Sequence, residues 1–137
     1  MKIYFLYHEV HVTPECFDVK GIGAYTSADS MSSAMERLKT LPGFCVHPTG
    51  FRVFVSSLTN GPASGTSTFV LYHVPDPNDE QCGLENVRVV GLFASREEAE
   101  SVAARLRTFP QYSDPFGTFD VVESVLDHTD WSSGFGV

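Results

Sequence analysis

The chain has 137 residues, 42% of them hydrophobic, a mean hydropathy of −0.04 and a formal net charge of −8. That length fits one compact domain or two half-domains sharing a core, and neither a metal nor a disulfide is required for folding. The composition excludes a disordered chain; no apolar run reaches the ~18 residues of a membrane span, and a negative surface repels phosphates, which argues against nucleic acid.

Met1-Lys2-Ile3-Tyr4-Phe5-Leu6-Tyr7 is a short apolar run without a small-residue cleavage site, so it reads as a first strand and not as a signal peptide. The pattern predicts strands over 3–10 and 17–25, both rich in aromatic and β-branched residues. Inside the second, Gly21-Ile22-Gly23 fits a bulge or a close backbone approach. Ser27 stands where a helix N-cap belongs, and Met31, Ala34, Met35 and Leu38 recur at i, i+3, i+4 and i+7. That spacing predicts a helix whose apolar face a sheet must cover, with Pro42 stopping it. A third strand is predicted over 51–58, followed by Thr59-Asn60-Gly61-Pro62-Ala63-Ser64-Gly65-Thr66, a linker of small and turn-forming residues.

The remainder repeats this order. Leu6-Tyr7-His8 returns as Leu71-Tyr72-His73, Gly23-Ala24-Tyr25-Thr26-Ser27 as Gly91-Leu92-Phe93-Ala94-Ser95, and Arg37-Leu38-Lys39-Thr40-Leu41-Pro42 as Arg105-Leu106-Arg107-Thr108-Phe109-Pro110. Phe51, Val53 and Leu58 return as Phe119, Val121 and Leu126, at the same offset of 68 residues that holds from Gly23 onward. The second copy predicts strands over 68–74, 86–93 and 119–126 and a helix carrying Ala99, Val102, Ala103 and Leu106. Ser95-Arg96-Glu97-Glu98 has the Ser-x-x-Glu form of a capping box.

The expected fold is therefore α+β: two tandem β-β-α-β repeats of about 60 residues, over 1–58 and 67–137 and joined by 59–66, with antiparallel-rich sheets and one helix per repeat. Three-stranded sheets with free edges are poor solitary folds, so the repeats are expected to form one pseudo-symmetric body.

Charge separates the copies. Up to Thr66 the acidic and basic residues balance, so the second copy carries the whole net charge of −8. Its acids gather in three places: Asp76, Asp79, Glu80 and Glu85 in the first loop, Glu97, Glu98 and Glu100 in the helix first turn, and Asp114, Asp120, Glu123, Asp127 and Asp130 in the last strand and tail. Acids in a first helical turn complement the macrodipole, and net charge aids solubility. The functional alternative is an acidic face presented to a basic partner.

Catalytic motifs are thin. His8 and His11 fall on opposite faces of a strand, so with Cys16 they make a poor metal site. Cys45 and His47 are near neighbours in a loop, and the position matching Cys45 in the second copy is Ser113. His8 and His73 recur with the repeat, which suits packing better than catalysis. There is no phosphate-binding glycine loop and no G-x-S-x-G elbow. No cofactor, metal or enzymatic activity is expected. Cys16, Cys45 and Cys82 are odd in number and lack C-x-x-C spacing, which reads as reduced thiols of a cytoplasmic protein, with one pair bridged if the protein were secreted.

The tail from Asp127 holds the only Trp, Trp131, and Phe135. These two either plug the open end of the core or form an exposed aromatic anchor within an acidic surround.

Leu-Tyr-His, Gly-x-Tyr-x-Ser, Pro42-Gly43-Phe44, Gly50-Phe51 and the closing Trp131 to Phe135 resemble a family of short bacterial proteins with no established activity, here duplicated. The second copy departs from the pattern at Pro110-Gln111-Tyr112. The resemblance covers nearly the whole chain and identifies the unit without assigning catalytic residues. In character such proteins are similar to immunity proteins, which neutralise toxins by surface complementarity. It implies a basic protein partner engaged by Asp76, Asp79, Glu80, Glu85, Asp127, Asp130, Trp131 and Phe135. The competing expectation is a sensor with a small ligand between the repeats, lined by Tyr7, Tyr72, Tyr25 and Phe93. Exposed sheet edges leave a homodimer as a third outcome.

Overall fold

The computed structural model describes residues 2–11, 17–45, 49–58, 66–74, 87–112 and 117–129. The first copy folds as β1 (Lys2–His11), β2 (Phe17–Tyr25), α1 (Ala28–Lys39), α2 (Pro42–Cys45) and β3 (Phe51–Ser57). The second gives β4 (Ser67–Val74), β5 (Arg88–Phe93), α3 (Arg96–Leu106), a 3₁₀ turn (Pro110–Tyr112) and β6 (Thr118–Val125). Each copy forms one antiparallel three-stranded sheet with its first strand in the middle, in the orders β2-β1-β3 and β5-β4-β6. The α+β duplication is thus present in topology as well as in sequence.

The duplication extends to local irregularities. Leu6 pairs with Gly23 and Tyr7 with Gly21, which leaves Ile22 as the extra residue of a bulge. Leu71 pairs with Gly91 and Tyr72 with Val89, which leaves Val90 in the matching place. Both expected caps form: Ser27 Oγ accepts from the Ser30 N–H at 3.1 Å, and Ser95 Oγ accepts from the Glu98 N–H at 3.2 Å. The prolines do more than stop the helices. α1 has already ended at Lys39 and α3 at Leu106, and Pro42 and Pro110 each open a further short turn, where a missing N–H costs nothing.

Strand alternation sorts each sheet into two faces. Leu6, Ile22 and Tyr25 meet Met31, Ala34 and Leu38 of α1, with Phe44 closing the cluster. On the opposite face, Ile3, Phe5 and Ala24 pack with Leu58 and with Val70 and Leu92 of the second copy. Tyr7, Phe54, Tyr72, Val89 and Leu126 border this shared core. The layers therefore run α1, first sheet, second sheet, α3. The two copies are not separate bodies, because each covers the apolar inner face of the other.

Gly21 marks how closely the copies approach. A Cβ there would lie 2.5 Å from the Tyr72 hydroxyl and 2.8 Å from the Phe5 ring.

Candidate functional site

The copies are also tied at one edge. Leu126 bridges in parallel to Ala24, and the Asp127 N–H donates to the Ala24 carbonyl at 2.8 Å. Asp127 adopts φ 59°, a left-handed conformation that Asp tolerates better than most residues. This turn brings its carboxylate to the start of α1. The Thr26 N–H donates to Oδ1 at 3.0 Å and the Thr26 hydroxyl to Oδ2 at 2.8 Å. The Ser30 hydroxyl reaches Oδ1 at 3.4 Å. Two residues on, Thr129 Oγ1 lies 2.8 Å from the Tyr25 hydroxyl. The Asp127 anion thus satisfies donors at a helix N-terminus, where negative charge is favoured.

The repeated histidines pack. His8 is buried, its ring 5.1 Å from that of Phe44 and 4.8 Å from that of Phe51. His73 sits likewise, 5.0 Å from both Tyr112 and Phe119. His11 is exposed on the other face of β1. Among the described residues no three His, Cys, Asp or Glu side chains are grouped to hold a metal. Tyr7 is perturbed: burial raises its hydroxyl pKa above the usual 10.0, Glu9 adds to the rise, and Arg52 opposes it. Arg52 Nε lies 3.3 Å from Glu9 Oε2 across β1 and β3.

Apolar surface is concentrated on the outer strands. Val53 and Val55 of β3 are 39% and 50% exposed, and Val122 and Val125 of β6 are 44% and 48% exposed. α1 lies over β1 and β2, which leaves the β3 valines uncovered. On β6 the valines alternate with exposed Asp120 and Glu123, and α3 adds exposed Glu97, Glu98 and Glu100.

Three cavities matter for ligands. One of ≈ 140 Å³ lies between the copies, with Tyr7, Glu9 and Val19 on one side and Arg88 and Val89 on the other. A second, of ≈ 260 Å³, also lies between the copies, with Ser56, Ser57 and Leu58 on one side and Leu92, Phe93 and Glu98 on the other. Of the four aromatics expected at the joint, Tyr7, Tyr72 and Phe93 reach it, whereas Tyr25 packs in the cluster under α1.

The largest, of ≈ 410 Å³, is a groove between α3 and β6 bounded by Arg96, Glu100, Ala103, Arg107, Phe119 and Asp120. The Arg96 guanidinium lies 5.6 Å from the Phe69 ring centroid and donates to the Val121 carbonyl at 3.2 Å. The Arg107 guanidinium lies 5.5 Å from the Phe119 centroid.

Of the residues expected to engage a partner, Asp127 is exposed but tied to α1, while Asp76, Asp79, Glu80, Glu85, Asp130, Trp131 and Phe135 lie outside the described residues. So do Cys16, His47 and residues 59–65 of the expected linker. The motif reading missed the α3–β6 groove. The available signal was a difference between the copies: Met35 of the first is Ala103 of the second, and Ala28 is Arg96. Comparison with protein-family models, with curated proteins and with solved structures found no match.

Proposed function

We propose that the chain is a non-enzymatic protein-binding module of bacterial, immunity type, which acts in the cytoplasm by covering a basic toxin. The supporting observation is the outer strand β6, where exposed Val122 and Val125 stand beside exposed Asp120 and Glu123. Alternation puts Val122 with Asp120 on one face of the strand and Val125 with Glu123 on the other. Both sides of this edge thus pair an exposed valine with a carboxylate, which suits a basic partner that grips the edge. Burial of the valines supplies affinity and charge speeds encounter. The strand is hydrogen-bonded to β4 on one side, so its outer edge suits addition of a partner strand. The resemblance to short bacterial proteins of immunity-like character points the same way. A ligand site between the repeats fits less well, because the cavities there, of ≈ 140 and ≈ 260 Å³, are both smaller than the roughly 300 Å³ at which small-molecule pockets begin.

The test is a pull-down with the tagged full chain from bacterial cells, followed by a binding curve for the captured protein. A single basic partner held at nanomolar strength, toxic when expressed alone, supports the proposal. The double variant D120K/E123K should then weaken binding at least tenfold. Unchanged affinity, or self-association through β6 as the only interaction, overturns it.

A further inference from the structure

The two copies share strands, bulges, caps and aromatic–histidine packing, and they differ most under their helices. In the first copy Met31, Ala34 and Leu38 are buried in a cluster against the sheet, and Met35 packs against that cluster. In the second the matching face carries Ala99 and Ala103, the buried residues of α3. Exchanging Met31 for Ala99 and Met35 for Ala103 shortens two side chains on the sheet-facing side of the helix, offset only in part by Val102 in place of Ala34. The consequence is the ≈ 410 Å³ groove between α3 and β6.

Two arginines, 96 and 107, line this groove at positions where the first copy has Ala28 and Lys39. Lys39 is paired with Glu36 at 3.2 Å. Among the described residues neither arginine lies within ion-pair distance of a carboxylate, although Glu100 and Asp120 line the same groove. Each guanidinium instead lies near an aromatic ring, Arg96 5.6 Å from Phe69 and Arg107 5.5 Å from Phe119. Arg96 gives one N–H to the Val121 carbonyl and keeps its others as donors. Arg96 is anchored by the Val121 carbonyl and by Phe69, which pairs with Glu123, and Arg107 is anchored by Phe119. The anchor points are therefore two to four residues apart on β6, roughly 7–13 Å along the strand.

From this geometry we infer that the α3–β6 groove is a binding site for a small organic oxyanion, a carboxylate or phosphate held by Arg96 and Arg107. Planar guanidinia recognise such groups bidentately. Glu100 and Asp120 on the same walls disfavour a bare polyanion and accept hydrogen bonds, so the ligand carries hydroxyl or ammonium groups on its body. The groove shares Asp120 of β6 with the protein-binding reading but does not rest on that reading, and R107Q and A103M leave the β6 residues of that reading unchanged.

The experiment is a titration of the full chain with inorganic phosphate, succinate and glucose 6-phosphate, each against chloride at one ionic strength, followed by NMR of the arginine side-chain N–H signals. Saturable shifts at Arg96 and Arg107, with Arg37 and Arg105 unmoved, are expected, and the stronger of phosphate and succinate identifies the oxyanion. R107Q should weaken the response at least tenfold. The variant A103M is the sharper test, because it refills the groove with the first copy's residue and removes no charge. It should keep the wild-type melting temperature and lose binding at least tenfold. The inference is overturned if no probe exceeds chloride, if all arginines shift alike, or if A103M binds as wild type.

Discussion

Single side chains carry the joint between the copies. Asp127 answers three donors at the start of α1, so D127A should cost about 0.5–2 kcal/mol, the range for losing a helix cap. Urea denaturation will measure it, and D127N should recover part of the loss by keeping an acceptor. At Gly21 the expectation is steric. G21A places a methyl group against the Tyr72 hydroxyl and the Phe5 ring and should destabilise by about 1–3 kcal/mol. Combining it with Y72F removes the closest obstacle, so a double-mutant cycle should show partial rescue. Tyr7 supplies a pH dependence. Its folded-state pKa is raised, so above about pH 10 the unfolded chain releases this proton more readily than the folded one. Stability is full below that pH and falls as pH rises through the folded value. Alkaline unfolding followed by circular dichroism should show a shallower decline in Y7F.

At the scale of elements, the two helices are unequal partners of their sheets. α1 seals a cluster that includes fully buried Phe44, whereas α3 rests on alanines, with arginine guanidinium groups over phenylalanine rings. F44A should therefore cost about 3–5 kcal/mol, the usual range for emptying a buried aromatic position. Y112A, its half-buried counterpart beside His73, should cost clearly less, and paired thermal melts will rank them. The same inequality explains what was legible. Each described strand and both helices could be read from period, caps and turn residues, because those signals are local. The bulge at Ile22 was visible in its flanking glycines. The groove was not, because alanine and methionine are both apolar and satisfy one helical stripe equally well. Only their sizes differ, and size acts through the layer beneath.

For the whole molecule, the inner faces of the two sheets share one core, with Ile3 and Phe5 from one copy against Val70 and Leu92 from the other. Neither half can bury that surface alone, so the chain should unfold in one transition. V70A should lower exchange protection in β1 as much as in β4; loss confined to β4 would show the halves to be independent. A sequence pattern says which residues alternate, but not which of two apolar faces meets a helix and which meets another sheet. That is why the repeat was evident and the layer order was not. It is also why Asp127 read as surface charge: nothing nearby in the chain announces a partner 101 residues away.

That separation has a consequence for the ribosome. The N-terminal half emerges first, yet the carboxylate that completes the start of its helix belongs to a segment made 101 residues later. At translation speeds of about 5–20 residues per second, the start of α1 waits roughly 5–20 s for that carboxylate, with the edge of β2 uncovered and the inner face of the first sheet wet. During synthesis, then, the chain passes through an exposed intermediate whose lifetime is set by codon speed as much as by folding speed.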